Sequence, residues 1–330
     1  MRSAHVLGVV AALFAVLPAD AREFRSSDIF PLDYPTVQGV VHIDKLMRER
    51  SNDRLGITVL GYGDRDSENY TAAQVRGGML DMARVNLAVL NTLAPMTTLP
   101  TLPYLFKSKE HARRVLDGPI GEEILASLEA QGLIGLCFYD SGPRHMYSNK
   151  KPVRSPADMY GLRVRVQQGD AWAGLLRAIG AEPVAVPSDR VYVNLKSGLL
   201  DAADQSWPSY VSLRHFDVAR YFSLTEHSMA PSVLIFSKRV WDTLSPADQE
   251  IIRNAAKDSV PLMRKLWDEY EISARRTAEA AGSTTVEDVD RKAFADRLVP
   301  LYSTIVENDK LLSIVRRIQT DEPLEQSLKP

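Results

Sequence analysis

The sequence predicts an α/β protein of two lobes bridged by one long helix, and three observations carry that expectation. Helical and strand patterns alternate through the first two thirds of the chain, as they do in βαβ units packed on mostly parallel sheets. The 330 residues, less an N-terminal leader of 21, exceed what one hydrophobic core usually serves. From Ser245 the pattern changes to a single helical run reaching Gly282. At about 1.5 Å per residue it would span roughly 50 Å, enough to cross both lobes.

The elements follow in order. Arg2, the apolar run 6–17 and Ala19-Asp20-Ala21 have the form of a secretory signal cleaved after Ala21. Twelve apolar residues ending at Pro18 are too few to span a bilayer. The single cysteine, Cys137, leaves neither an internal disulfide nor a lipid acceptor behind the leader; between Leu136 and Phe138 it reads as a small buried hydrophobe. After Tyr34-Pro35-Thr36, Val37, Val40, Val41 and Met47 recur at helical spacing, and 56–60 reads as a strand. A helix is expected over 68–82, a strand over 85–90, and a strand covered on both faces over 133–139. Ser155-Pro156-Ala157-Asp158 caps a short turn that Gly161 closes. Asp170 is placed to cap a helix through Ile179, stopped by Gly180. A strand over 183–186, a helix over 188–197 ended by Gly198, and a strand over 199–205 complete the second lobe. Ser245-Pro246-Ala247-Asp248 opens the long helix, whose apolar positions include Ile252, Ala255, Met263 and Trp267. The lobes are expected to divide as 22–145 with 231–265, and 146–230 with 266–330.

The densest chemical signal is Gly161-Leu-Arg-Val-Arg-Val-Gln. Side chains alternate along a strand, so Arg163 and Arg165 share one face while Leu162, Val164 and Val166 take the other. An arginine fork on a rigid strand suits a planar carboxylate; a solvated strand edge fits these seven residues equally well. Arg144 closes the segment 138–144, where the first lobe would pass into the second. Arg84 opens a strand, and Asp204-Gln205 ends one, at the edge where open α/β sheets bind ligands. Together these groups suit a cleft for a small polyhydroxy acid.

Other functions find little support. A net charge of −2 offers no basic field for nucleic acid. There is no phosphate loop, no Gly-x-Ser-x-Gly, no His-Glu-x-x-His and no paired-cysteine metal signature. His215 and His227 lie 12 apart with no carboxylate at ligand spacing, and Asp140, Ser141 and His145 are too close in sequence to face one another as a triad. No cofactor is expected.

These residues resemble the periplasmic solute-binding proteins of TRAP transporters, the tripartite ATP-independent class, from about 24 to 318. The resemblance is densest in Gly161-Leu-Arg-Val-Arg-Val-Gln-Gln, Ile179-Gly-Ala-Glu-Pro-Val-Ala-Val-Pro and Gly198-Leu-Leu-Asp-Ala-Ala-Asp, and continues in Trp207-Pro-Ser-Tyr and Leu224-Thr-Glu-His-Ser-Met-Ala-Pro. Trp-Pro-Ser-Tyr, Leu-Thr-Glu-His and Asp33-Tyr-Pro-Thr point to the branch that takes sugar acids such as uronates. It implies a "Venus flytrap" fold of the periplasmic binding protein type, closure on a small carboxylate, and delivery to the small and large membrane subunits of a TRAP permease. A monomer is expected. Arg165 matches the arginine that pairs with the ligand carboxylate, and Arg144 a second, supporting arginine. Gln205 falls where asparagine is usual and Asp204 where glutamate is. The chain reads Asp204-Gln205-Ser206-Trp207-Pro208 where Glu-Asn-Asn-Trp-Pro is common, and has Phe30 where histidine is common. These departures imply a smaller or less hydroxylated acid than a uronate, chosen by Gln205 and Ser206, with Phe30 and Ser188 next. A periplasmic enzyme for such an acid, or a ligand-sensing partner of a membrane receptor, stays open as an alternative.

Overall fold

The structure, a computed structural model, describes residues 21–61, 68–166, 172–306 and 308–320. The leader through Asp20 and the cap at Asp170 lie outside the described residues. In chain order the strands are β1 (Arg22–Ser27), β2 (Leu55–Leu60), β3 (Met82–Asn86), β4 (Leu133–Tyr139), β5 (Arg144–Ser148), β6 (Arg163–Val166), β7 (Glu182–Ala185), β8 (Ala202–Gln205), β9 (Tyr221–Ser228), β10 (Ser232–Ser237) and β11 (Thr284–Val286). They form two sheets, ordered β2-β1-β3-β10-β4 and β11-β9-β5-β8-β6-β7. Each mixes parallel and antiparallel pairs: β2-β1-β3 in the first sheet and β8-β6-β7 and β11-β9 in the second are parallel, and the remaining neighbours are antiparallel.

The chain passes between the sheets through two short segments, 140–143 and 229–231. They run side by side: Tyr139 pairs with Ser232 in the first sheet and Arg144 with Ser228 in the second. A third link is the helix Pro246–Ala280, capped by Ser245 Oγ, which accepts from the Asp248 amide at 3.1 Å. Its Ile252, Ala255, Met263 and Trp267 pack in the first lobe's core beside Val37, Ile43 and Met47. Further along, Ala274 and Ala278 pack with Tyr147, Tyr210 and Phe222 in the second. One helix thus has a foot in each core. Phe294 and Leu298 also join the second lobe. Tyr302, Ile314, Val315 and Ile318, by contrast, pack with Leu99 and Phe106 of the first lobe, whereas the expected division assigns all of 266–330 to the second.

Several elements differ from expectation for local reasons. The helix expected over 68–82 is Glu68–Gly77, because Gly78 turns left-handed at φ +78 and Met82 already opens β3. The strand expected over 85–90 ends at Asn86, whose side chain accepts from the Ala88 amide and starts a 3-10 turn over Leu87–Leu90. The strand expected over 199–205 is shortened to Ala202–Gln205. On β6, Val164 and Val166 enter the core, as the alternation predicts.

Candidate functional site

A cleft where the lobes meet encloses about 370 Å³ of empty space, solvent at its mouth included. Phe30, Tyr34, Arg84 and Asn86 line it from the first lobe, and Ser188, Gln205 and Ser209 from the second. Ser141, Arg144 and Ser232 come from the crossing segments and strand ends beside them, and Trp267 from the long helix.

Arg84 is held by buried carboxylates. Its Nε donates to Asp28 Oδ2 at 2.7 Å, its Nη2 to Asp28 Oδ1, and its Nη1 to Glu68 Oε1 at 2.7 Å. The guanidinium carbon lies 5.0 Å from the Phe30 ring centre, and Phe30 stacks on Tyr34 at 3.8 Å and 9°. Arg84 therefore builds an aromatic wall. Tyr34 Oη in turn meets Ser209 Oγ at 3.0 Å, a hydrogen bond across the cleft.

Arg144 is positioned by the strand end opposite. Antiparallel pairing sets His145 against Gln205 and Met146 against Asp204, so Arg144 Nε reaches Asp204 Oδ2 at 2.5 Å, Nη2 the Asp204 carbonyl at 2.7 Å and Nη1 Gln205 Oε1 at 3.1 Å. Burial pushes the Asp204 carboxyl up, but the Arg144 guanidinium and His227, 3.2 Å away, outweigh it and hold it well below the usual carboxylate range. Asp204 is thus an ionised brace for Arg144. Thr225 Oγ1 at 2.8 Å and the Trp172 ring, stacked at 4.8 Å, fix His227.

Arg165, 2 % exposed, reaches the cleft through its neighbours. Its Nε donates to the Val186 carbonyl at 2.9 Å and its Nη2 to Ser188 Oγ at 3.3 Å. Burial and the Arg165 charge push the His215 ring down to about 3, leaving it neutral, with Nδ1 2.7 Å from Tyr147 Oη. Arg163, on the same strand face, goes elsewhere: it forms a bidentate pair with Asp201 at 2.9 and 2.8 Å, partly exposed.

Of the residues singled out by sequence, Phe30, Arg84, Arg144, Ser188 and Gln205 line the cleft, and Arg165 and Asp204 stand directly behind it. Ser206 does not line it; its Oγ donates to Ser209 Oγ at 3.4 Å. Sequence reasoning missed Tyr34, Asn86, Ser209, Ser232 and Trp267. Ser209, one turn beyond Ser206 at the start of helix Trp207–Ser212, was within reach of a helical-spacing argument. The neighbours Asp140, Ser141 and His145 do not assemble: Asp140 pairs with Arg113 and Arg264, and Ser141 Oγ meets Ser232 Oγ at 2.8 Å. Among the described residues no group of three His, Cys, Asp or Glu is placed to hold a metal, and no helix is long and apolar enough to cross a membrane.

Two α/β lobes, a helix shared by their cores and a polar cleft at the seam define a two-lobed solute-binding protein. The chain belongs to the bacterial extracellular solute-binding protein family 7, whose profile matches residues 26–309. It is similar to a TRAP periplasmic solute-binding protein of Bradyrhizobium sp. BTAi1 solved with α/β-D-galacturonate, at 49% identity and TM-score 0.89 over 91% of this chain and 100% of that one. A second such protein, from Xanthobacter autotrophicus Py2 with β-D-galacturonate, is 43% identical, with TM-score 0.88 and the same coverage of each chain, 91% and 100%. A solute-binding protein of Chromohalobacter salexigens is 32% identical over 97% of this chain and 95% of its own.

Proposed function

We propose that the protein captures a hexuronate, D-galacturonate foremost, outside the cytoplasmic membrane and delivers it to the small and large membrane subunits of a TRAP permease. The observation that carries this reading is a polar cleft between the lobes with Arg84 and Arg144 in its wall and Arg165 behind Ser188 at its edge. Arg84 pairs with Asp28 and Glu68, Arg144 pairs with Asp204, and Arg165 holds Val186 O and Ser188 Oγ at the cleft edge. Arg165 takes the ligand carboxylate as a bidentate pair, since its planar fork matches two carboxylate oxygens. Arg144 supports it, and Gln205, Ser188 and Ser209 read hydroxyls.

The expectation of a smaller acid, drawn from Phe30, Gln205 and Ser206, gives way here. Gln205 is engaged with Arg144 and Ser206 with Ser209, and the similar proteins at 49% and 43% identity were solved with galacturonate, which favours a hexuronate over the smaller acid. Binding proceeds without chemistry, and the lobes close on the ligand as a monomer. The leader is removed after Ala21 on export to the periplasm. The lobes divide at 140–143, at 229–231 and within the long helix, with 302–306 and 308–320 returned to the first. A thermal-shift screen of uronates, aldonates and dicarboxylates tests the proposal: ligand at 100-fold its dissociation constant adds about 2.7 kcal/mol of stability. A set in which only non-hydroxylated dicarboxylates stabilise the protein would refute the hexuronate assignment.

A further inference from the structure

Trp267 is 1 % exposed, yet its indole Nε1 is buried with no hydrogen-bond partner among the described residues. Interiors leave few such donors, because a buried N–H without an acceptor forfeits its hydration and gains nothing in return. The ring is also fixed. Tyr34 packs edge-on at 5.9 Å and 80°, and the core residues of the long helix surround it. Gly142, left-handed at φ +64 in the crossing segment, lies against the nitrogen: a Cβ there would stand 3.1 Å from Nε1. Glu271 Oε1 stands 2.9 Å from the same point without forming a hydrogen bond to the indole, and its Oε2 is 3.4 Å from Lys109 Nζ. Trp267 is also the one cleft-lining residue that the long helix contributes.

We propose that Trp267 is a ligand-reading residue whose Nε1–H is completed by an oxygen of the bound acid. The inference rests on the reading of the cleft as a uronate site. An indole nitrogen donates and cannot accept. The position therefore admits a hydroxyl, ring or carboxylate oxygen and disfavours an ammonium group, so an amino-substituted acid with nitrogen at that point binds poorly. It also places a ligand contact on the element shared by both cores, so the helix meets the ligand directly.

The test is a titration of ¹⁵N-labelled protein with D-galacturonate. The chain has four tryptophans, at 172, 207, 241 and 267, so the indole region holds few signals, and Trp267→Phe identifies the relevant one. Should that variant fold poorly, single substitutions at the other three make the same assignment by elimination. Saturating D-galacturonate is expected to move the Trp267 indole proton downfield and slow its exchange with water. Trp267→Phe is expected to weaken D-galacturonate binding about 5- to 20-fold by calorimetry. Calorimetric binding by the parent protein with an unmoved Trp267 indole signal would overturn the inference while leaving the uronate reading intact. No heat with any uronate on the parent would overturn that reading, and this inference with it.

Discussion

Replacing Arg165 with lysine keeps the positive charge and removes the fork. In the unliganded protein the change gives up the 2.9 Å bond from Nε to the Val186 carbonyl and the 3.3 Å bond from Nη2 to Ser188 Oγ. An ammonium on a flexible stem can replace one of these, so the folded state loses about 1–2 kcal/mol. Ligand binding suffers separately. A bidentate grip becomes a single contact, and a hydrogen bond to a charged group contributes about 1.5–3 kcal/mol. At 1.4 kcal/mol per decade, affinity should fall roughly 10- to 150-fold. Calorimetry with D-galacturonate reads the affinity, and a thermal melt without ligand shows that the variant is folded. A folded Arg165→Lys protein binding as tightly as the parent would refute the assignment of the carboxylate to Arg165.

Gln205→Asn withdraws the acceptor that meets Arg144 Nη1 at 3.1 Å and should change the ranking of uronates in a competition assay, whereas Ser206→Asn, off the cleft wall, should lower stability and leave the ranking alone; identical rankings in both variants would move selectivity elsewhere. Tyr34→Phe breaks the bond to Ser209 across the cleft, so ligand should bind about 2- to 12-fold more weakly and the unliganded protein should have a larger radius of gyration by scattering. Burial and the Arg165 charge depress His215 from 6.5 to about 3, so the unfolded chain takes up a proton that the folded state refuses. The stability this neutral ring supplies is complete above pH 6.5 and is lost as pH falls toward 3, about 2–3 kcal/mol by pH 4.5. His145, held well below 6.5 by burial, adds in the same direction. His215→Asn, which keeps an acceptor for Tyr147, should flatten that slope in urea melts, and an unchanged slope would rule out His215 as its source.

Much of the fold was legible because local signals agreed with tertiary ones. Leu133–Tyr139 is apolar throughout and buried throughout, and Ser245-Pro246 with Gly282 bracketed the long helix to within two residues. What stayed hidden was polar. β5 reads Arg-His-Met-Tyr-Ser, and no periodicity marks it as a strand, yet all five residues are buried. Their polar groups find partners only through the fold: Asp204 for Arg144, His215 for Tyr147 and the Asp201 carbonyl for Ser148. The site followed the same rule. Strand alternation placed Arg165 toward the cleft edge, but alternation alone could not send Arg163 to Asp201, because that partner sits 38 residues away at the start of another strand. Nor could it separate Ser206 from Ser209, which differ by a turn of helix whose orientation the second lobe's core decides.

The paired segments 140–143 and 229–231 have a mechanical consequence. Each continues a strand of one sheet into a strand of the other, and they are clamped together at both ends, by Tyr139 against Ser232 and by Arg144 against Ser228, with the Ser141 and Ser232 hydroxyls 2.8 Å apart between. Two straps fastened side by side bend readily across their width and resist twisting, as a door on two pins swings but does not yaw. Across these two straps the soft motion is a swing of one lobe against the other, and the long helix, with a foot in each core, and the chain between Leu298 and Tyr302 must bend with it.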